Sequence, residues 1–329
     1  VSMTAFIEFV PMQLAAGSAN CWSFANANTW FTASPVSTPA GKSLRSSVTA
    51  LSVRETPHVG QPNRGWICDG SYVRRMAELV HTVIVGDVAT ITLDSQHNRN
   101  ALSMPLLDQL HAGIDAAEEA QARAIVLRHE GPAFCAGADL KERSDGPPDS
   151  KPMVRALKRL MDTERPTIAA VDGAVRAGGI GLMASCDLIV VHSTTTFALT
   201  EVRIGVAAAI ISVPILRRVP PGKIAAAMLT GEQFGADEAR TIGLVTHVTD
   251  DVATSVAALV DGIRAGAPRA VRETKALLHS VPTMDRDTAF AAMESLSNEL
   301  FQGPDAKIGM QAFREKRRPT WVLSKSDQT

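Results

Sequence analysis

An α/β domain with a largely parallel sheet is predicted for most of this chain, on three observations. Short apolar segments of strand length recur at Ala124–Leu127, Thr167–Val171 and Leu188–Val191. Helical patterns separate them, and strand–helix–strand alternation is how parallel layers are written in sequence. Beyond about Pro221 the pattern turns mostly helical.

Taken in order, the regular part of the chain begins near Leu79. His81–Leu93 alternates apolar and polar residues around Gly86-Asp87, which predicts a β-hairpin. Leu102–Ala120 reads as a helix, with Ser103 suited to the N-cap and Pro105 in the first turn, where its missing N–H costs nothing. The three buried strands follow, and Ile180–Cys186 is a short apolar helix between the last two. Later helices are expected at Lys223–Leu229, Ala236–Ile242, Val252–Ala265, Pro268–Leu278 and Asp285–Leu300. No internal repeat is present.

The chain has 329 residues, and its 45% hydrophobic content supplies a large core. A net charge of −1 gives no steering toward nucleic acid or an anionic membrane, so neither is expected as a partner. No apolar run approaches the roughly 18 residues of a spanning helix. Cys21, Cys68, Cys135 and Cys186 form no C-x-x-C pair and have no His cluster beside them. Reduced thiols in a cytoplasmic protein are the expectation, with no metal site and no disulfide.

Residues 1–76 differ in kind. They are rich in Ser, Thr, Ala, Asn and Pro, with few patterned apolar residues, so they are expected to be a poorly ordered low-complexity extension. Three origins fit: a true tail; upstream sequence before a true start at Met76, with Val1 read from a GTG codon; or a transit peptide, against which the scarcity of Arg before Arg45 counts. Ala40-Gly41-Lys42-Ser43 resembles the end of a phosphate-binding loop, but Val36 stands at the first glycine position, so it reads as chance.

Two loops are candidates for chemistry. After Ile125–Leu127 the chain reaches Phe134-Cys135-Ala136-Gly137-Ala138-Asp139, whose small residues admit a ligand close to the backbone. After Thr167–Val171 it reaches Asp172-Gly173 and then Gly178-Gly179, ahead of the apolar helix. A helix that begins on a glycine pair presents free N–H groups at its positive end. If the two loops converge, two backbone donors aim at one point, which is an oxyanion hole. Gly179–Ala184 also satisfies the G-x-G-x-x-A dinucleotide pattern, with Glu201 about twenty residues on. That pattern needs its first glycine directly after a strand, whereas residues 172–178 intervene here, and it is set aside.

From Leu79 to Trp321 the chain resembles the crotonase, or enoyl-CoA hydratase/isomerase, family. The resemblance is carried by NRNALS (Asn98–Ser103), FCAGADLKE (Phe134–Glu142), RPTIAAVDGAV (Arg165–Val175), LTGEQFGADEARTIGLV (Leu229–Val245) and AFREKRRPTW (Ala312–Trp321), in order and at family spacing. It implies a ββα-spiral core over 77–265 and a helical trimerisation region over 266–329. It implies a homotrimer or a dimer of trimers. The implied substrate is an acyl-CoA thioester, with CoA arriving as part of the substrate and no separate cofactor. The N–H groups of Ala136 and Gly178 become the oxyanion donors. Ala136, Gly137, Ala138, Asp139 and Gly178 line the thioester and pantetheine. Lys141 and Lys316 are either contacts for CoA or solvated surface charges. Glu201, in FALTEVRIG (Phe197–Gly205), stands where the family keeps a catalytic carboxylate. Burial beside residues 207–211 would raise its pKa and suit it to proton transfer. Its competing reading is a capping glutamate.

The resemblance breaks at one position. The family's hydratases carry a second carboxylate where this chain has Gly181. Hydratase-type lyase activity is the leading expectation, with an enoyl-CoA Δ3-Δ2 isomerase using one glutamate, or a non-catalytic acyl-CoA binder, as alternatives. Three explanations of Gly181 stay open. One base suffices for isomerisation; or Glu142 or Asp145 supplies the missing acid; or a carboxylate on the substrate does, paired with Arg176 or Arg203. The last fits a local resemblance of FALTEVRIGVAAAIIS to the methylglutaconyl-CoA hydratase-like branch.

Overall fold

The computed structural model describes residues 66–69, 72–75, 77–142 and 149–322. The chain divides between Ala77 and Glu78 into two units. In the first, β1 (Trp66–Asp69) and β2 (Tyr72–Arg75) pair antiparallel, with Trp66 opposite Arg75. The sequence predicts no strand there, because four residues are too few for a period to show. The rest of the 1–76 expectation, Ala40–Ser43 included, lies outside the described residues, as does Asp145.

In the second unit β3 (Val80–Val85) and β4 (Val88–Leu93) form the predicted hairpin, with Gly86 of the turn at φ +60°. Glycine takes that conformation without strain. α1 (Met104–Glu119) follows, and the Ser103 hydroxyl accepts the Leu106 N–H at 3.4 Å as the expected N-cap. Leu106, Leu107, Leu110, Ile114 and Ala117 are its buried face, at helical spacing.

The chain then repeats a strand–strand–helix turn. β5 (Ala124–His129), β6 (Ala133–Cys135) and α2 (Lys151–Asp162) make the first. β7 (Thr167–Val171), β8 (Ala174–Arg176) and α3 (Gly178–Ala184) make the second. β9 (Leu188–His192), β10 (Thr196–Ala198) and α4 (Ala209–Arg218) make the third. After α5 (Pro221–Thr230) come β11 (Gln233–Gly235), α6 (Ala236–Thr241) and β12 (His247–Thr249). One sheet runs in the order β12-β9-β7-β5-β4-β3, parallel apart from its terminal hairpin. The other runs β11-β10-β8-β6, with β11 antiparallel. Each turn thus gives one strand to each sheet, which is the ββα spiral. β7 is buried at every position, as befits a parallel strand covered on both faces.

α7 (Val252–Ala265), α8 (Pro268–Ser280), α9 (Arg286–Gln302) and α10 (Pro304–Arg314) complete the chain. These helices, the expected C-terminal region, fall in the same unit as the spiral. Two ties explain why. The Lys275 side chain of α8 is 5% exposed and reaches Asp187 at 2.9 Å, the Arg165 carbonyl at 2.9 Å and the Leu160 carbonyl at 3.2 Å. Arg123, just ahead of β5, donates to the carbonyls of Ile263, Arg264, Gly266 and Trp321. α9 is different: it has no buried residue, and Phe290 and Phe301 are 71% and 66% exposed.

Candidate active site

The first loop is built by a motif thirty-odd residues earlier. Buried Asn100 accepts the Ser95 N–H at 2.6 Å and donates to the carbonyls of Glu130 at 3.0 Å and Ala133 at 2.8 Å. Asn98 donates to the Asp139 carboxylate at 3.1 Å. These side chains hold NRNALS against FCAGAD, a structural role that spacing alone does not reveal. Leu102 then pairs with Ala138 as a parallel bridge: its N–H donates to the Gly137 carbonyl at 2.7 Å and its carbonyl accepts the Asp139 N–H at 3.4 Å.

That register corrects one expected donor. The Ala136 N–H is already given to the Arg99 carbonyl at 3.0 Å. In a parallel bridge the N–H of the bridged residue itself points away from its partner. The free donor on this loop is therefore Ala138, whose N–H has no partner among the described residues. Ala136 lines the cavity without donating to it.

The second loop meets the first through glycine. Ala177 has φ +47° and donates its N–H to the Ala198 carbonyl at 3.0 Å, which fixes the turn into α3. A Cβ on Gly179 would stand 2.6 Å from the Cys135 Cβ and 2.8 Å from the Cys135 carbonyl oxygen, so only glycine lets the loops approach. Gly178 opens the helix, where a first N–H has no intrahelical partner. A Cβ there would lie 3.6 Å from the Ala138 nitrogen. The structure thus brings Gly178 and Ala138 together, as the sequence predicts for Gly178 alone.

These donors border a cavity of about 630 Å³, lined also by Leu102, Met104, Met153 and the run Val206–Ile211. Glu201 lies on its wall, at the first residue of the 3-10 turn after β10. Its Oε2 is buried with no hydrogen-bond partner among the described residues. Burial pushes its carboxyl pKa above the ordinary value. A buried acceptor without a donor is costly unless a ligand supplies one. Three other acids line the cavity, and each has an oxygen committed. Asp139 takes the Asn98 and Lys141 N–H groups, Glu142 takes the Met104 N–H, and Asp149 takes the Lys151 N–H.

Gly181 is the position vacated by the second acid, and the space is not empty. A Cβ there would stand 2.2 Å from Cγ2 of Ile211 and 2.5 Å from its Cβ. The two arginines proposed for a substrate carboxylate do not reach the cavity. Arg176 is spent on the Val175 and Thr196 carbonyls, the Thr196 hydroxyl and Gln233, and Arg203 caps the Thr230 carbonyl. No described residue lining the cavity is cationic.

The comparisons agree with this geometry. The family model described as enoyl-CoA hydratase/isomerase matches residues 84–323. A Thermus thermophilus relative, named provisionally as an enoyl-CoA hydratase, is 35% identical over 71% of this chain and 97% of its own length. A Beauveria bassiana protein named mevalonyl-coenzyme A hydratase is 33% identical over 72% of this chain and 92% of its own. Among solved structures, an enoyl-CoA hydratase from Mycobacterium smegmatis superposes with a TM-score of 0.71 at 32% identity, covering 75% of this chain and all of the other. One from Mycobacterium avium gives 0.57 at 41% identity over 75% of this chain. Converging glycine loops on a ββα spiral and a family match over residues 84–323 lead to one conclusion: the chain belongs to the enoyl-CoA hydratase/isomerase family of crotonase-fold enzymes.

Proposed function

We propose that this protein shifts the double bond of an enoyl-CoA thioester, with Glu201 as the single proton carrier. The observation behind this reading is the unpartnered Oε2 of Glu201 on the cavity wall, with no acid at Gly181 to share its work. The thioester oxygen accepts from the Ala138 and Gly178 N–H groups. Glu201 removes a proton from Cα of a 3-enoyl substrate, and the electrons move to that oxygen as an enolate. Glu201 then returns the proton to Cγ, the enolate collapses, and the double bond lies between Cα and Cβ. Nothing is added or lost. Two pre-aimed donors of this kind contribute roughly 10²–10³ in rate apiece.

The acyl group is neutral in this reading. Apolar residues and acids line the cavity without a described cation, which disfavours a distal carboxylate and the methylglutaconyl branch. CoA enters as part of the substrate. Hydration remains the second reading, favoured by the hydratase names of the relatives. Self-assembly through the unpacked α9 face, as a trimer or a dimer of trimers, belongs to the same proposal.

Glu201→Gln tests the assignment. Turnover of 3-enoyl-CoA falls by about 10²–10⁴, while CoA-ester affinity measured by calorimetry persists. Unchanged turnover removes Glu201 from the mechanism. Absence of any turnover in the unaltered chain, with binding intact, points to a non-catalytic binder.

A further inference from the structure

We propose that Ile211 decides the outcome of the reaction: its side chain fills the volume beside Gly181 where a second acid and an attacking water would stand. The inference rests on the single-carrier reading above and names what enforces it. Gly178 and Gly181 are three residues apart in α3, so they share one helix face. A side chain at 181 would therefore emerge beside the oxyanion donor at 178. Instead, the three atoms nearest a Cβ at 181 are all Ile211 carbons, with even the Ile211 Cα at 3.2 Å. Backbone at that distance cannot be cleared by a rotamer change, and a β-branched side chain in a helix is stiff in any case.

Water is kept out by the same contact. A buried water needs roughly two to four polar partners. The space at Gly181 offers carbon, and Ile211 and Gly181 are both buried. Hydration of a 2-enoyl thioester forms a bond from water oxygen to Cβ and delivers a proton to Cα. It needs an ordered water on the Cβ side and a base to take one of its protons, the other staying on the new hydroxyl, while an acid supplies the proton to Cα. Isomerisation needs neither the water nor a second group. Ile211 therefore leaves proton return by Glu201 as the available course and closes the other.

Substitution at both positions separates the ideas. A straight-chain 3-enoyl-CoA and its 2-enoyl isomer are incubated with each protein, and the products are resolved by chromatography and mass. Ile211→Ala removes the atoms that exclude water yet keeps a Cβ in the way of an acid. Gly181→Glu/Ile211→Gly removes the two nearest obstructing atoms and leaves the residue-211 Cα at 3.2 Å, a contact that a shift of a few tenths of an ångström relieves. The ratio of hydrated to isomerised product rises by about 10² or more in the double variant, the scale of a positioned acid–base group. It rises less in Ile211→Ala, and not at all in Gly181→Glu alone. An unchanged ratio in the first two, loss of both products in proteins that keep native circular dichroism, or equal hydration by Gly181→Glu alone overturns the proposal. Should the double variant not fold, Ile211→Ala still decides, because it only removes volume. If the unaltered chain makes hydrate and no isomer, the single-carrier reading fails and the Ile211 proposal with it; if it makes isomer but Ile211→Ala and the double variant leave the ratio unchanged, the Ile211 proposal alone fails.

Discussion

Glu201 carries an ionisation consequence as well as a chemical one. Its carboxyl is raised above the ordinary value by burial. The base must be ionised to take a proton from Cα. The acid limb of kcat/KM for 3-enoyl-CoA is therefore expected above the carboxylate value of about 4.3, and Glu201→Gln abolishes that limb along with the activity. The stability sign follows from the same shift. A raised pKa favours the protonated folded state, so the ionised group destabilises the fold once pH passes the raised value. Glu201→Gln melts higher than the unaltered chain at neutral pH, and the gap closes as pH falls toward the ordinary carboxylate range. At this scale the sequence is only partly legible. Glu201 and Gly178 can be placed from motif spacing. Ala138 cannot, since Ala136 and Ala138 sit in the same run of small residues. Which N–H is free depends on Leu102 pairing across the loop and on Arg99 taking the Ala136 N–H. Nor does the sequence show that Ile211, thirty residues along the chain, fills the place of a missing glutamate.

Elements of ordinary length were legible because their periods had room to repeat. The span Val252–Ala265 is the same in sequence and structure, and α1, α8 and α9 differ from expectation by a residue or two at most. The second sheet was not. β6, β8, β10 and β11 are three residues each, too short to alternate visibly, yet they carry the loops that make the site. α8 owes its position to charge as much as to apolar burial. Burial alone would raise the Asp187 pKa, but the His279 hydrogen bond and the Lys275 charge outweigh it and hold the carboxyl below its usual range. A lowered carboxylate contributes stability above its unfolded pKa and loses it as pH falls through the folded value. Lys275→Met leaves the Asp187 charge buried without its ammonium partner. Such losses cost about 3–5 kcal/mol, measurable by denaturant unfolding at neutral pH. The deficit shrinks in acid, once Asp187 is protonated.

At the scale of the molecule, the unpacked face of α9 bears on assembly. A helix of this length with no buried residue, bearing Phe290 and Phe301, is stable when another surface covers it. Sedimentation is expected to give a mass several times that of one chain, and Phe290→Asp/Phe301→Asp to shift it toward the monomer. A monomeric unaltered chain would remove α9 as an assembly face. The parallel α/β character was legible as alternating strands and helices, and the spiral through the family resemblance. Its union with the C-terminal helices was not, because the ties are single polar side chains in otherwise unremarked positions. Arg123 is the clearest of these, holding the Trp321 carbonyl from a point 198 residues away in the chain. Such a contact has a bearing on biosynthesis. Domains take shape as the chain emerges from the ribosome, N-terminal parts first. Here the carbonyls of Ile263, Arg264 and Gly266 that answer the Arg123 guanidinium are made 140 to 143 residues after it, and the Trp321 carbonyl 198 residues after it, so this tie closes only after the whole spiral has been synthesised.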